Sequence, residues 1–148
     1  MRRVFKGSII PRMRALLVHA RDYDVKVIGL ATRPNGVAPE AIIDNEQTVK
    51  NCIVGFLCVE TGDEIDAIKS LSTEIVKMMK ETGEQNVVIA PFAHLSNKLA
   101  DSHTAKRLLG ELENELIKFK PVRTHFGSDK ELLLSVFGHP GSVRFREF

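Results

Sequence analysis

The sequence lacks the features that mark secreted, membrane-spanning or metal-binding proteins. It has no apolar run near the roughly 20 residues of a membrane span, and no basic start followed by the apolar core of a signal peptide. Its two cysteines, Cys52 and Cys58, lie six residues apart in an apolar run, without other metal ligands at suitable spacing. We therefore expect a soluble, cytoplasmic domain with two buried free thiols and no bound metal.

Familiar catalytic and cofactor motifs are also absent. The sequence contains no Gly-x-Gly-x-x-Gly, no Walker loop, no Gly-x-Ser-x-Gly, no His-Glu-x-x-His and no Cys-x-x-Cys. These absences leave two classes of function to consider, a reaction that needs no cofactor or a binding role.

Positive charge is concentrated at the amino terminus. The formal net charge is +2 at pH 7, and residues 1–12 contribute four basic side chains and no acid. Residues 13–148 therefore hold 17 basic and 19 acidic groups, a balance that does not favour nucleic-acid binding by bulk electrostatics. We interpret residues 1–12 as a basic extension and residues 13–148 as the domain. A phosphate-binding arm is the alternative interpretation of residues 1–12.

The apolar pattern predicts a layered α/β domain with two helices packed on one sheet. Residues 51–60 are apolar on both faces, which is typical of a central strand. One amphipathic helix is predicted from a capping box of Thr61 and Glu64 to Gly83, and a second over residues 102–118. The other predicted strands cover residues 14–19, 24–31, 86–90, 122–126, 132–137 and 143–148.

The most unusual local sequence follows the predicted strand at residues 86–90. It is Pro91-Phe92-Ala93-His94-Leu95-Ser96, here called the 91–96 segment. In open α/β sheets this end of a strand is where ligands bind, and Pro91 makes the backbone there rigid. His94 adds a titratable group. The pattern alone does not distinguish a functional His94 from one that caps or packs the next helix.

A second candidate is Lys130, which follows a turn predicted at residues 127–129 and precedes an apolar strand. Its ammonium can be held over a pocket there, or the turn can be an ordinary charged hairpin tip. His139 is expected to organise its own turn, and His19 to be a satisfied histidine at a strand edge. The remaining histidines give no signal above background: His103 and His125.

These motifs occur in the same order and at similar spacing in one known family. They are Met13-Arg14-Ala15-Leu16-Leu17-Val18-His19, Phe56-Leu57-Cys58-Val59-Glu60, the 91–96 segment, and Phe126-Gly127, Lys130 and Gly138-His139-Pro140. Over residues 13–148 the chain resembles the N-terminal editing domain of archaeal threonyl-tRNA synthetases. The resemblance implies a fold similar to D-aminoacyl-tRNA deacylases, usually a homodimer, at the front of a longer synthetase chain.

The resemblance also implies an activity, the hydrolysis of L-serine wrongly esterified to tRNA(Thr). Serine is threonine without one methyl group, and such a group is worth only about 1–3 kcal/mol in a pocket, so a synthetic site cannot exclude it. The implied partners are the 3′ end of mischarged tRNA(Thr), a second copy of the chain, and synthetase domains in cis or a separate synthetase in trans. No cofactor is implied for this ester hydrolysis.

Carried over residue by residue, the resemblance implies roles within the site. Main-chain contacts with the seryl group and the attacking water are implied for Val59, Pro91, Phe92 and Ala93. His94 is implied near the terminal ribose, and Lys130 at the seryl ester. The 2′-hydroxyl of the terminal adenosine is implied to help activate the water, which leaves orientation and fixed dipoles to the protein.

Two positions depart from the family pattern. Asp129 precedes Lys130 where an aromatic residue is common, and residues 141–143 lack an acidic residue that often follows the turn. Two alternatives therefore stay open. One is a D-aminoacyl-tRNA deacylase, weakened because Gly138-His139-Pro140 interrupts the Gly-Pro dipeptide typical of those enzymes. The other is a non-catalytic module for RNA positioning or dimerisation.

Overall fold

The computed structural model of the chain describes residues 4–5, 8–9 and 13–148. Strands β1 (Val4–Phe5) and β2 (Ser8–Ile9) pair as a short antiparallel ribbon. The rest of the predicted basic extension, at residues 1–12, lies outside the described residues, so its role stays a prediction.

Residues 13–148 form one six-stranded sheet with two α-helices, which confirms the predicted layered α/β architecture. The elements in chain order are β3 (Arg14–Leu30), β4 (Glu46–Cys58), α1 (Ile65–Thr82), β5 (Asn86–Pro91), α2 (Ser102–Glu115), β6 (Val122–Arg123), β7 (Ser128–Val136) and β8 (Val143–Glu147). Short 3-10 turns cover Ala93–Leu95 and Ile117–Phe119.

The strand order is β6-β5-β4-β3-β7, and β8 also pairs with β3. Strand β5 runs parallel to both β4 and β6, whereas all other pairs in this sheet are antiparallel. The carboxyl ends of β4 and β5 therefore meet at the same edge of the sheet.

Strand β3 joins two strands that the sequence analysis predicts separately, at residues 14–19 and 24–31. It is continuous because two different strands pair along it, β8 with its first part and β7 with its second part. The register shifts between Ala20 and Asp22, where the prediction separates the two strands. A β-bulge of this kind bends a strand without ending it.

The two faces of the sheet carry separate cores. Helices α1 and α2 pack their apolar stripes, including Leu71, Ile75 and Leu108, on one face. The opposite face buries a second cluster that includes Tyr23 and Phe56. Because β4 contributes to both clusters, its predicted burial on both faces is confirmed.

The predicted capping box at the start of α1 is wrong. The N-cap is Glu64, and its side chain makes no capping bond. Thr61 instead donates its hydroxyl to the Leu99 carbonyl at 3.0 Å, and the carboxylate of Asp63 accepts the amide of Glu60 at 2.6 Å. These polar groups stabilise the turn between β4 and α1 and tie it to the chain before α2.

Three boundaries near the carboxyl end also differ from the prediction. Helix α2 ends at Glu115, short of the predicted residue 118, and the 3-10 turn Ile117–Phe119 follows it. Strand β6 stops at Arg123 and β7 begins at Ser128. Lys130 therefore lies within a strand paired with β3, and the hairpin-tip interpretation of this lysine is wrong.

Both cysteines are buried free thiols, as predicted. Among the described residues, neither helix combines the length and the apolar character that crossing a bilayer would require.

Candidate active site

A cavity of about 540 Å³ opens at the edge of the sheet where β4 and the parallel strand β5 end. Its walls come from the end of β4, the 91–96 segment, the first turns of α2, the loop at residues 31–37 and the segment at residues 126–130. Ligands commonly bind at the carboxyl ends of parallel strands. The cavity thus lies at the edge that the sequence analysis singles out.

The six residues to which the resemblance gives a role all line this cavity. They are Val59, Pro91, Phe92, Ala93, His94 and Lys130. They come from three separate parts of the sequence, and the sheet brings them together because β4, β5 and β7 all contribute to its rim.

The backbone of the 91–96 segment is fastened to the sheet at its start. Pro91 has no N–H group, and the amide of Phe92 donates to the Leu57 carbonyl at 2.8 Å. The 3-10 turn Ala93–Leu95 follows directly. A ligand that accepts a main-chain hydrogen bond near the start of this segment must therefore accept it from the amide of Ala93 or His94.

His94 lies in this turn, with its side chain exposed at the rim. Its ring meets Phe92 edge-on, with centroids 5.1 Å apart, and Phe92 packs against Phe56. Helix α2 is capped by Asp101, whose Oδ1 accepts the amide of Thr104 at 2.8 Å. The alternative in which His94 caps the next helix is therefore wrong.

The half-buried side chain of Lys130 lines the cavity from β7. Its Nζ donates to the Ser128 carbonyl at 3.2 Å. Burial lowers the pKa of the Lys130 ammonium from its usual value, and the charges of Asp129 and Glu40 oppose this less strongly. Asp129, one of the departures from the family pattern, thus favours the charged form but does not outweigh burial.

Two residues without a predicted role hold the segment before Lys130: His125, which the sequence analysis sets aside, and Glu40, which it does not consider. The Nε2 of buried His125 donates to the Glu40 carbonyl at 2.8 Å, so its Nδ1 is free to accept the Ser128 hydroxyl, also at 2.8 Å. The Glu40 carboxylate accepts the amide of Phe126 at 2.7 Å. No local signal reveals this arrangement, because Glu40 is 85 residues from His125.

Two further polar side chains of the cavity wall, Tyr23 and Cys58, are neutral near pH 7. Burial raises the pKa of Tyr23 to about 12, and its hydroxyl lies 2.6 Å from Oγ1 of Thr124. Burial also raises the pKa of the Cys58 thiol to about 11, so this cysteine is a poor nucleophile. In the described part of the chain, no group of three or more His, Cys, Asp or Glu side chains could hold a metal ion.

Two histidines of the shared motifs lie away from the cavity. The ring nitrogens of buried His19 are each 2.7 Å from a partner, His139 on one side and Glu84 on the other. Glu84 precedes the amino end of β5, so this cluster is at the opposite edge of the sheet. His19 is a satisfied histidine, as predicted. The Nδ1 of His139 lies 2.9 Å from the Pro140 carbonyl, which agrees with its predicted role in the turn.

Solved structures with the same fold include two proteins of low sequence identity. One is described as a probable eukaryotic D-amino acid tRNA deacylase, with a TM-score of 0.65, 10% identity, and coverage of 93% of this chain and 100% of that one. The other is the c-Myc DNA Unwinding Element Binding Protein, with a TM-score of 0.63, 12% identity, and coverage of 91% and 97%. These similarities confirm the predicted deacylase-like fold.

Curated relatives are similar in sequence over most of this chain. The threonine–tRNA ligase of Hyperthermus butylicus is 34% identical over 92% of the chain, which spans 23% of that protein. The threonine–tRNA ligase editing subunit of Saccharolobus solfataricus is 35% identical over 86% of the chain, which spans 32% of that protein. The chain therefore spans less than a third of the length of these relatives.

The family model of the archaea-specific editing domain of threonyl-tRNA synthetase matches residues 13–148. This range is the one over which the shared motifs are distributed, and it contains every residue of the cavity wall. The chain therefore belongs to the family of archaeal threonyl-tRNA synthetase editing domains.

Proposed function

We propose that this chain removes L-serine from mischarged tRNA(Thr) by hydrolysing the aminoacyl ester in the cavity between β4, β5 and β7. The observation that carries the proposal is the convergence of Val59, the 91–96 segment and Lys130 on one cavity at the carboxyl ends of parallel strands. Membership in a family of tRNA editing domains supports it. Charged tRNA is a cytoplasmic molecule, and we propose the same location for the domain.

The reaction needs a water molecule, an activating base and stabilisation of the charge that develops on the ester. The water oxygen attacks the ester carbonyl, the bond from that carbon to the 3′-oxygen of the terminal adenosine breaks, and the 3′-oxygen takes up a proton as serine leaves. We propose that the amides of Ala93 and His94 and the ammonium of Lys130 face the developing negative charge. Such preorganised donors usually supply a large part of the rate enhancement.

The proposed base is the 2′-hydroxyl of the substrate. The thiol of Cys58 and the phenol of Tyr23 both have raised pKa values, near 11 and 12, and are therefore protonated at neutral pH. His94 lies at the rim, with its ring held against Phe92, which suits a contact with the terminal ribose. The protein then contributes orientation, which is worth several kcal/mol when the reacting groups are aligned.

The substrate proposal is tested with the purified chain and three charged tRNAs. We expect L-Ser-tRNA(Thr) to lose its amino acid about 100-fold faster than L-Thr-tRNA(Thr), because the extra methyl group of threonine must be accommodated. A D-aminoacyl-tRNA should be stable. Selective loss of the D-amino acid would instead support the D-aminoacyl-tRNA deacylase, which the shared fold favours. No loss from any substrate would support a non-catalytic module.

The same assay tests the role of the 2′-hydroxyl. Seryl-tRNA(Thr) that ends in 2′-deoxyadenosine, with serine on the 3′-oxygen, should react at least about 100-fold more slowly, since general-base assistance is lost. Binding of this substrate, measured by filter retention, should change little. Hydrolysis of the 2′-deoxy substrate at the normal rate would exclude the proposed base without excluding the deacylase.

Selection of the correct tRNA is proposed to need further synthetase domains. Residues 13–148 hold 17 basic and 19 acidic groups, so acidic groups outnumber basic ones and bulk electrostatics does not hold a long nucleic acid there. One relative is a threonine–tRNA ligase more than four times as long as the matching region, and another is an editing subunit. We propose that the anticodon-binding and aminoacylation functions lie in cis or on a separate synthetase in trans.

A second copy of the chain is the proposed partner for an exposed apolar face on β7 and β8. Four apolar side chains there are 40–51% exposed: Leu132, Val136, Val143 and Phe145. Their register with β3 places all four on the sheet face opposite the helices. Leu132 also lines the cavity, so a copy docked on this face would lie beside the site.

The dimer is tested by a charge placed on this face. Phe145→Glu should raise the dimer dissociation constant at least about 10-fold, measured by sedimentation equilibrium, because a carboxylate would be buried without a partner. The control is Ile117→Glu, since Ile117 is 65% exposed but precedes the opposite edge strand, β6. A wild-type chain that stays monomeric at about 100 µM would contradict the proposal.

A further inference from the structure

A buried carboxylate that the proposed mechanism does not use lies directly behind the 91–96 segment. Glu60 is 1% exposed and immediately follows Val59, which lines the cavity. A buried carboxylate is costly unless hydrogen bonds and opposite charges compensate it. The hydrogen-bonding and charged partners of Glu60 therefore show which part of the structure its carboxylate holds in place.

Those partners meet at the end of the 3-10 turn Ala93–Leu95. The Ser96 hydroxyl donates to Oε2 of Glu60 at 2.6 Å. The Arg14 guanidinium donates from Nη1 to the Leu95 carbonyl at 2.9 Å, and its Nε lies 3.5 Å from the same Glu60 oxygen. Two consecutive residues of the segment are thus held by a carboxylate and the guanidinium beside it.

The hydroxyl of Ser96 connects this contact to the chain that follows. Its oxygen donates its one proton to Glu60 and accepts the amide of Lys98 at 3.0 Å. Its orientation is therefore set from both sides. Arg14 is in turn held by Glu147 of β8, whose Oε2 accepts Nε at 3.2 Å. We call Arg14, Glu60 and Ser96 the clasp.

The clasp and the sheet fix the segment at two points. At its start, the Phe92 amide is bonded to the Leu57 carbonyl, and at its end Leu95 and Ser96 are held by the clasp. The amides of Ala93 and His94 lie between these two points. A displacement of about 1 Å in such groups is enough to lower a rate about 100-fold.

We propose that Glu60 is a positioning residue that, through Ser96 and Arg14, sets the orientation of the Ala93 and His94 amides toward the cavity. Its use in ester hydrolysis rests on the proposed function, whereas its effect on the two amides does not. The charge of Glu60 matters here because an amide side chain in its place is a weaker acceptor for both the hydroxyl and the guanidinium.

The amides are followed directly by two-dimensional NMR of the full chain. In Glu60→Gln and in Ser96→Ala, the Ala93 and His94 resonances should shift or broaden, while those of the buried helix residues Leu71 and Leu108 stay in place. Ser96→Thr keeps the hydroxyl and should restore the wild-type resonances. Unmoved Ala93 and His94 signals in both variants would overturn the proposal, whether or not the chain proves to be a deacylase.

The single-turnover rate provides a second measurement when the wild type hydrolyses L-Ser-tRNA(Thr). Glu60→Gln should lower the rate constant at saturating enzyme about 10- to 100-fold and change the half-saturating concentration less than about 3-fold, because orientation is lost rather than binding. The double variant Glu60→Gln/Ser96→Ala should have nearly the same rate constant as Glu60→Gln alone, since both substitutions remove the same contact. Glu115→Gln, an exposed glutamate at the end of α2, is the control and should be neutral.

A purely structural role gives a different pattern. The rate constant per folded molecule would then stay at the wild-type value, and the melting temperature alone would fall. That result, or a loss of rate in Ser96→Thr as large as in Ser96→Ala, would contradict a role in positioning.

Discussion

Lys130→Met is expected to lower the single-turnover rate constant of serine removal by about 100-fold or more, the usual effect of deleting one charge-stabilising donor from an active site. The same substitution is expected to raise the melting temperature by about 1–3 °C. Lys130 lines the cavity, and burial lowers its pKa despite the charges of Asp129 and Glu40. A group whose charged form is disfavoured by its surroundings costs stability, and methionine keeps the apolar stem without the charge.

The gain in stability depends on pH in a defined direction. With a pKa below 10.5 in the folded state, Lys130 binds its proton less readily than in the unfolded chain, so wild-type stability should rise with pH between the lowered pKa and 10.5. The advantage of Lys130→Met should therefore be largest near neutral pH and disappear above that interval. Denaturant titrations at several pH values measure it.

Lys50→Met is the matched control for this substitution. Lys50 is exposed, and its hydrogen bond with Asp22 raises its pKa, which is the opposite direction to the shift at Lys130. Its loss should leave the rate unchanged and should not stabilise the fold. A Lys130→Met variant with normal turnover would remove Lys130 from the mechanism. A lower melting temperature in this variant would show that the Lys130 ammonium does not destabilise the folded chain.

The elements that could be predicted from the sequence are those whose signal is local. The second half of β4, residues 52–58, is apolar on both faces. Helix α1 ends at Thr82 and is capped by Gly83 in the left-handed conformation, whose amide donates to the Met79 carbonyl. The continuity of β3 could not be predicted, because it depends on β7 and β8, which follow more than 90 residues later. The boundaries of β6 and β7 depend in the same way on distant partners.

The site shows the same division. Local pattern drew attention to the 91–96 segment and to Lys130, but left each with an ordinary alternative, and the resemblance was needed to connect them. The supporting residues Arg14, Glu60 and Ser96 lie within the quoted motifs, but no role is predicted for them. Glu60 and Ser96 are 36 positions apart, and Arg14 and Leu95 are 81 apart. A lone glutamate directly after the apolar stretch at residues 52–59 is the one local signal that could have pointed to the clasp.

Gly127→Ala is expected to destabilise the chain by about 2–4 kcal/mol and to distort the cavity. Gly127 has φ of +86°, and a Cβ atom there would lie 2.7 Å from Cα and 2.9 Å from Cβ of Pro39. The obstructing atoms belong to the backbone and to a rigid ring, so relief requires movement of the chain. Gly127 lines the cavity, and its carbonyl accepts the amide of Ala31 at 2.9 Å. The wall made by residues 126–130 must therefore shift with it.

Substitutions at two other glycines distinguish the two causes of this destabilisation, the positive φ and the contact with Pro39. Gly36 has φ of +80° and open space around it, so Gly36→Ala should cost only the left-handed conformation, about 1–2 kcal/mol. Gly138 has neither a positive φ nor a close neighbour, and Gly138→Ala should be neutral within about 0.5 kcal/mol. Denaturant unfolding gives the three values. If Gly127→Ala destabilised the chain no more than Gly36→Ala, the contact with Pro39 would not contribute to the loss of stability. A normal rate of serine removal in the folded Gly127→Ala variant would show that the wall at residues 126–130 does not shape the site.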